Sequence, residues 1–227
     1  MKYVDAHCHL ESGILPSCIA VAITNATRIA DWDFITKVSG HGCVHGAIGI
    51  HPWYISELPN DWDCRLYKML SANSELMVGE IGLDKNSPDL SAQMDVFQRQ
   101  LQIAIELRRT VHIHCIGAWD KLLAILAKFT PHTIVLHGAS PSIEIINLLL
   151  RYNSYFSFGP ALCKETHIRI RNAFCNVPQS RILSETDGNN PADVVMVVQK
   201  MSEILAIPVA DVADTIYTNV IGLLKNG

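Results

Sequence analysis

Val4-Asp5-Ala6-His7-Cys8-His9-Leu10 opens the chain with two imidazoles two positions apart. Its apolar flanks read as a β-strand, and alternate side chains of a strand share a face. His7 and His9 are therefore expected on one side with Cys8 on the other, a ready metal-binding pair. A single H-x-H is weak evidence, because two histidines at a strand end are ordinary. What the other strands end in decides what the pair is for.

Working outward, eight short apolar runs read as strands, at 3–7, 19–24, 44–50, 77–83, 110–114, 133–137, 155–158 and 181–185. Their hydrophobicity is continuous rather than alternating, which suits parallel strands buried on both faces beneath helices. Helical spacing lies between most of them. Ser87-Pro88 places a capping hydroxyl before a proline ahead of Phe97, Leu101, Ala104 and Ile105, and Ser140-Pro141 does the same ahead of Ile145, Ile146, Leu149 and Leu150. Pro191 is positioned to open a helix through Val194, Val198 and Met201, and 209–224 carries a last amphipathic stripe. The first connection, from Leu10 to Cys18, is short and broken by Gly13 and Pro16. The expectation is an α/β fold, a TIM (β/α)8 barrel with its first helix missing or short, as one domain over 1–227. An open doubly wound sheet is the alternative.

In such a barrel the site lies at the C-terminal ends of the strands. Strand one ends in His7 and His9, strand three in Gly49-Ile50-His51-Pro52-Trp53, and strand four in Gly79-Glu80-Ile81-Gly82-Leu83-Asp84. Strand five gives His112-Ile113-His114, strand six His137-Gly138, and strand eight Glu185-Thr186-Asp187. Histidine or acid at six ends out of eight is more than scattered core histidines produce. Nitrogen and carboxylate donors without thiolate pairs suit a catalytic divalent cation, Zn2+ first, with Mn2+ or Mg2+ as alternatives. The donors are enough for two metal ions per chain, an arrangement that activates water and polarises a scissile group.

The chain has 227 residues, 49% hydrophobic and 18% charged, so a buried core is expected rather than disorder. A formal charge of −4 provides no general basic field for nucleic acid, and any polyanion must be held locally or by metal. The seven cysteines are odd in number and contain no C-x-x-C, which reads as reduced thiols. No signal peptide and no apolar run of membrane-spanning length stands out, so a cytoplasmic, soluble protein without membrane association or obligate protein partner is expected.

Taken together, Asp5-Ala6-His7-Cys8-His9, Gly49-Ile50-His51-Pro52, Gly79-Glu80-Ile81-Gly82-Leu83-Asp84, His114, His137 and Glu185-Thr186-Asp187 resemble the TatD-like metal-dependent DNases of the amidohydrolase superfamily. Gln93, Phe97, Gln100, Leu101 and Asn219 are similar to helix positions of the same family, so the likeness runs almost end to end. The resemblance implies a two-metal TIM barrel hydrolysing phosphodiester bonds, usually exonucleolytically on DNA. It implies His7, His9 and Asp187 on one metal, Glu80 bridging, and His114 and His137 on the second. Asp187 would also be the general base, with Glu80 beside it as a catalytic residue, and His51 would bind the substrate phosphate. His112 shares the parity of His114 two residues deeper and is expected as an interior supporting residue. His41, His45, His132 and His167 lack motif context and are expected to be structural or at the surface.

The departures from the family concern substrate. Ile116 stands where the family commonly has an arginine, Gly138-Ala139-Ser140-Pro141 replaces a Cys-Phe-Ser-Gly run, and Gly188-Asn189-Asn190-Pro191 replaces a longer loop. Lys85, Lys164, Arg169 and Arg171, expected in loops after strands four and seven, are the candidates to restore charge. DNA or a small phosphoester is the expected substrate. A barrel for a small ester, lactone or amide is the second reading, and a binding protein retaining an idle site the third.

Overall fold

The computed structural model describes residues 1–40 and 42–225, so the expectation for His41 lies outside the described residues. Eight parallel strands pair in chain order in one sheet: β1 (Tyr3–Cys8), β2 (Ile19–Asn25), β3 (Val44–Ile48), β4 (Met77–Asp84), β5 (Val111–Ile116), β6 (Ile134–Leu136), β7 (Ser154–Phe158) and β8 (Ile182–Ser184). The sheet curls into a nearly closed (β/α)8 barrel. β1 and β8 meet through single bonds: Ser184 Oγ donates to the Val4 carbonyl at 2.7 Å, and the Asp187 amide to the His7 carbonyl at 3.0 Å. Every residue of β4 and β7 is buried, as continuous apolar runs between barrel interior and helical coat require.

The coat consists of α1 (Trp32–Val38), α2 (Trp62–Ala72), α3 (Leu90–Glu106), α4 (Trp119–Leu126), α5 (Ile143–Leu149), α6 (Ile168–Asn176), α7 (Val194–Leu205) and α8 (Val209–Lys225). Between β1 and β2 there is no helix, as expected. The outer faces of β2 and β3 there, Ala22 and Val44, pack in a small apolar cluster with Leu10, Leu15, Cys18 and Val194. The connecting chain itself thus supplies the cover that a first helix would give. Among the described residues no single helix is long and apolar enough to cross a membrane.

Two helix starts differ from expectation. Asp89, not Ser87, caps α3: its carboxylate accepts the Ala92 amide at 3.0 Å while its backbone sits in the left-handed region at φ 53°. Pro88 belongs to the turn before it. α5 begins after Ser142 rather than Ser140. Pro191 does open a helical turn, Pro191–Asp193, that runs into α7.

α3 does more than cover the barrel, because two of its buried residues are glutamines. Gln93 accepts the Asp84 amide at 2.8 Å and donates to the Asp84 carbonyl at 3.0 Å. Gln100 accepts the Ile50 amide at 2.8 Å and donates to the Ile50 carbonyl at 3.1 Å. Each amide completes the hydrogen bonding of a strand end that leaves the sheet, which fixes where His51 and Asp84 emerge. Asn219 on α8 plays the same part at the start of β8, donating to the carbonyls of Gln179 and Ile182, each at 2.8 Å.

Candidate metal centre

The imidazoles and carboxylates converge at the C-terminal mouth of the barrel around Glu80. Glu80 Oε1 lies 2.6 Å from His137 Nε2, 3.2 Å from His114 Nδ1 and 3.3 Å from His51 Nε2. Its Oε2 lies 3.3 Å from His7 Nε2 and 3.6 Å from His9 Nε2. Asp187 closes the ring from the rim, with Oδ1 3.3 Å from His9 Nε2 and 3.7 Å from His7 Nε2. His9 lies just past the end of β1, beyond an irregularity in its pairing with β2, so the pair converges without strict strand alternation.

Three sets of donor atoms lie close enough to share a cation: His7, His9 and Asp187; His7, Glu80 and His137; His51, Glu80 and His114. All six residues expected as metal ligands are in these sets, joined by His51. His112 is in none of them. It is buried beneath His7, ring centroids 6.0 Å apart, and both its nitrogens lack a hydrogen-bond partner among the described residues.

The donor set fits a divalent cation on its own chemistry. His114 Nδ1 and His137 Nε2 face each other at 3.0 Å, and two imidazole lone pairs aimed together need a proton or a metal between them. His7 is wholly buried, its Nε2 facing the Glu80 carboxylate at 3.3 Å without hydrogen-bond geometry and its Nδ1 without a partner among the described residues, an expensive arrangement for a residue with only a packing role.

The hydrogen bonds behind the rings fix their tautomers. His9 Nδ1 is 2.9 Å from the Asn25 carbonyl, which can only accept, so Nδ1 carries the proton and Nε2 presents its lone pair to the site. His51 is the opposite case. Its Nδ1 accepts the Trp53 amide at 3.2 Å, so the proton of the neutral ring is on Nε2, and His51 offers the centre a donor rather than a lone pair. Behind His114, Asp84 Oδ2 stands 3.5 Å from Nε2 and accepts the Trp53 indole N–H at 2.8 Å.

Burial opposes ionisation of Glu80, yet the imidazoles of His137, His114 and His51 hold its carboxyl well below the usual range. Burial likewise opposes charge on His137, but the Glu80 carboxylate raises it to about 10. His7, stacked on His137 with ring centroids 4.0 Å apart, is pushed down to about 4 by burial and by that neighbour. Asp187 is lowered to about 2, the His9 bond and nearby imidazoles outweighing desolvation. It is therefore ionised throughout the neutral range, and it stands in the left-handed region at φ 50°, which Asp tolerates better than most residues.

Supporting residues escaped the sequence reading. The Asp5 carboxylate, fully buried, accepts from the Thr186 amide at 2.9 Å and the Thr186 hydroxyl at 2.6 Å, tying β1 to the segment that carries Asp187. Glu185 Oε1 accepts the Gly138 amide at 2.7 Å, fixing the chain just after His137. Both belong to the quoted motifs, and that was the available signal. Lys85 and Lys164 are exposed and neither lines the cleft over Glu80. Arg169 and Arg171 lie on α6 rather than in a loop, because residues 168–176 form a helical turn pattern with Ala173 and Phe174 facing inward. Of the remaining histidines, His132 is exposed and His45 and His167 half-buried, none of them at this site.

Comparison with known proteins places the chain. The profile of the family described as TatD related DNase matches residues 4–225. The "3'-5' RNA nuclease TATDN2" of Homo sapiens is 28% identical over 82% of this chain, a stretch that spans only 28% of the human protein. The "3'-5' ssDNA/RNA exonuclease TatD" of Erwinia billingiae is 28% identical over 61% of this chain and 55% of its own length. An uncharacterised metal-dependent hydrolase of Methanocaldococcus jannaschii is 24% identical over 99% of this chain and 98% of its own. In fold, the crystal structure of the TatD homologue YJJV of Escherichia coli superimposes with a TM-score of 0.87 over 96% of this chain and 95% of that one, at 21% identity. With the family profile running from the first strand to the last helix, this chain belongs to the TatD-related DNase family.

Proposed function

We propose that the chain is a metal-dependent phosphodiesterase that shortens single-stranded nucleic acid from an end. The observation that carries this reading is Glu80 standing among five imidazoles at the barrel mouth with Asp187 at the rim. His7, His9 and Asp187 would hold one divalent cation, His114 and His137 a second, and Glu80 both; Zn2+ is the first candidate, with Mn2+ and Mg2+ as alternatives. Such ions supply Lewis acidity at the phosphoryl oxygen and bring the pKa of water towards neutrality.

The chain's own residues supply the rest. His51, neutral because burial lowers it, donates from Nε2 to a non-bridging phosphate oxygen. Asp187, ionised and half exposed, accepts the proton of the attacking water as the phosphorus–oxygen ester bond breaks. RNA is the substrate named for the human relative, and single-stranded DNA or RNA for the Erwinia one. The seven free thiols support a cytoplasmic setting.

A second reading, a small ester or phosphoester as substrate, is favoured by the apolar Ile116 at the end of β5, 40% exposed. The test is hydrolysis of a single-stranded oligonucleotide beside bis-p-nitrophenyl phosphate and a carboxylic ester panel, by stripped protein refilled with Zn2+, Mn2+ or Mg2+. Metal-dependent shortening of the oligonucleotide, reduced at least ~10²-fold in Asp187→Asn, is expected for a lost general base. Turnover of small esters alone would overturn the nuclease reading.

A further inference from the structure

The cleft over Glu80 opens sideways. His9 and Thr27 line it and also line a second groove that continues over Arg28, Asp31 and Phe34. A substrate longer than one phosphodiester can lie across both. Of the described residues lining the two, Arg28 is the one with a permanent positive charge.

Arg28 is held ready. Its guanidinium carbon lies 5.4 Å from the ring centroid of Tyr54, which itself lines the metal cleft. Stacking on an aromatic face restrains a guanidinium while leaving its donors free for an anion. Asp31 is the carboxylate recorded beside it, 3.6 Å from Nε, and Asp31 is already engaged: its Oδ2 accepts from the Thr27 amide, the Thr27 hydroxyl and the Arg28 amide at 3.0 to 3.1 Å.

Trp53, next to Tyr54 in the chain, lines the same metal cleft. Its indole N–H is tied to the buried Asp84, yet the residue is 59% exposed. A rigid aromatic face left open beside a phosphodiester site is suited to stacking a base.

We infer that Arg28 binds a phosphate flanking the scissile one in a single strand, and that Trp53 stacks a neighbouring base. This rests on the phosphodiesterase reading above. Glu11 also lines the groove, Asp31 stands beside Arg28, and no second Lys or Arg is among the described lining residues, so the footprint is short.

The test is fluorescence anisotropy of a labelled single-stranded oligodeoxynucleotide bound to metal-loaded Asp187→Asn protein, which holds the strand with turnover suppressed, as a function of KCl. Adding Arg28→Gln is expected to weaken binding on the order of tenfold and to lower the slope of log affinity against log salt by about 0.7, the loss of one phosphate contact on a single strand. Arg28→Lys should keep the slope while losing part of the affinity, and Trp53→Ala should weaken binding with the slope unchanged. Arg65→Gln, on exposed α2, should alter neither. If the parent binds but Arg28→Gln matches it in affinity and slope, or Arg65→Gln lowers the slope equally, the role of Arg28 is overturned. If the parent binds no oligonucleotide while wild type cleaves only small phosphodiesters, the nuclease reading fails and takes this inference with it.

Discussion

His51 shows how much a single ring can decide. It lies as near Glu80 as several proposed ligands do, but the Trp53 amide takes its Nδ1 lone pair and leaves a donor facing the centre. His51→Ala, which removes that donor, should therefore keep the metal content of wild type while kcat/KM falls roughly 10²–10³-fold, the scale of one lost hydrogen-bond donor in the transition state. Metal analysis beside steady-state kinetics checks this, and loss of an ion would make His51 a ligand. At this scale the convergence of His7, His9, Glu80, His114, His137 and Asp187 at the barrel mouth was legible: His9, His137 and Asp187 lie just past strand ends, and His7, Glu80 and His114 on strands whose side chains the barrel gathers there. The groups behind them were not. Asn25 behind His9 and Asp84 behind His114 act through contacts between segments far apart in sequence, which periodicity does not reveal.

Among the elements, α3 is the one that couples packing to chemistry. An amphipathic helix needs only an apolar stripe to cover a strand, yet this one buries Gln93 and Gln100 among Phe97, Leu101 and Ala104. Gln100→Leu fits the volume but strands the Ile50 amide and carbonyl without partners. We expect a loss of about 2–6 kcal/mol, from roughly 1–3 kcal/mol for each of the two unsatisfied buried groups, together with reduced turnover because Ile50 adjoins His51. Thermal unfolding and kinetics on the same variant measure both; a stable variant with displaced activity alone would show that the amide only positions. Helix existence here was readable from spacing, but the start was misplaced, because Asp89 reaches a left-handed backbone that allows it to cap where Ser87 was expected.

For the whole molecule, the decisive feature is closure between β1 and β8. Asp5 binds Thr186, the His7 carbonyl accepts the Asp187 amide, and the Gly188 carbonyl accepts the His9 amide at 2.8 Å. Closing the barrel and bringing His7, His9 and Asp187 together are thus the same set of bonds. Burial raises the Asp5 carboxyl from 3.8 to about 8. A folded-state pKa above the unfolded value means that the native state keeps the proton longer. The stability tied to Asp5 is then full below pH 3.8 and declines as pH rises through about 8. In Asp5→Asn, neutral at every pH, that decline should vanish, so chemical denaturation in chelator should favour the variant progressively from pH 5 to 8. Parallel profiles would contradict it. The barrel itself was legible because eight buried runs in one chain leave few other arrangements, whereas the cover over the missing first helix depends on Leu10 and Leu15 folding back, which no local pattern announces.

The measurement that bears most directly on this account is metal stoichiometry, by elemental analysis and calorimetric titration of stripped wild type and Glu80→Ala. Glu80 has one oxygen toward His7 and His9 and the other toward His114 and His137. Two ions per chain are expected in wild type, and Glu80→Ala should weaken both together. A single ion in wild type, or a Glu80→Ala protein that binds one of two ions as tightly as before, would contradict a centre built around a shared carboxylate.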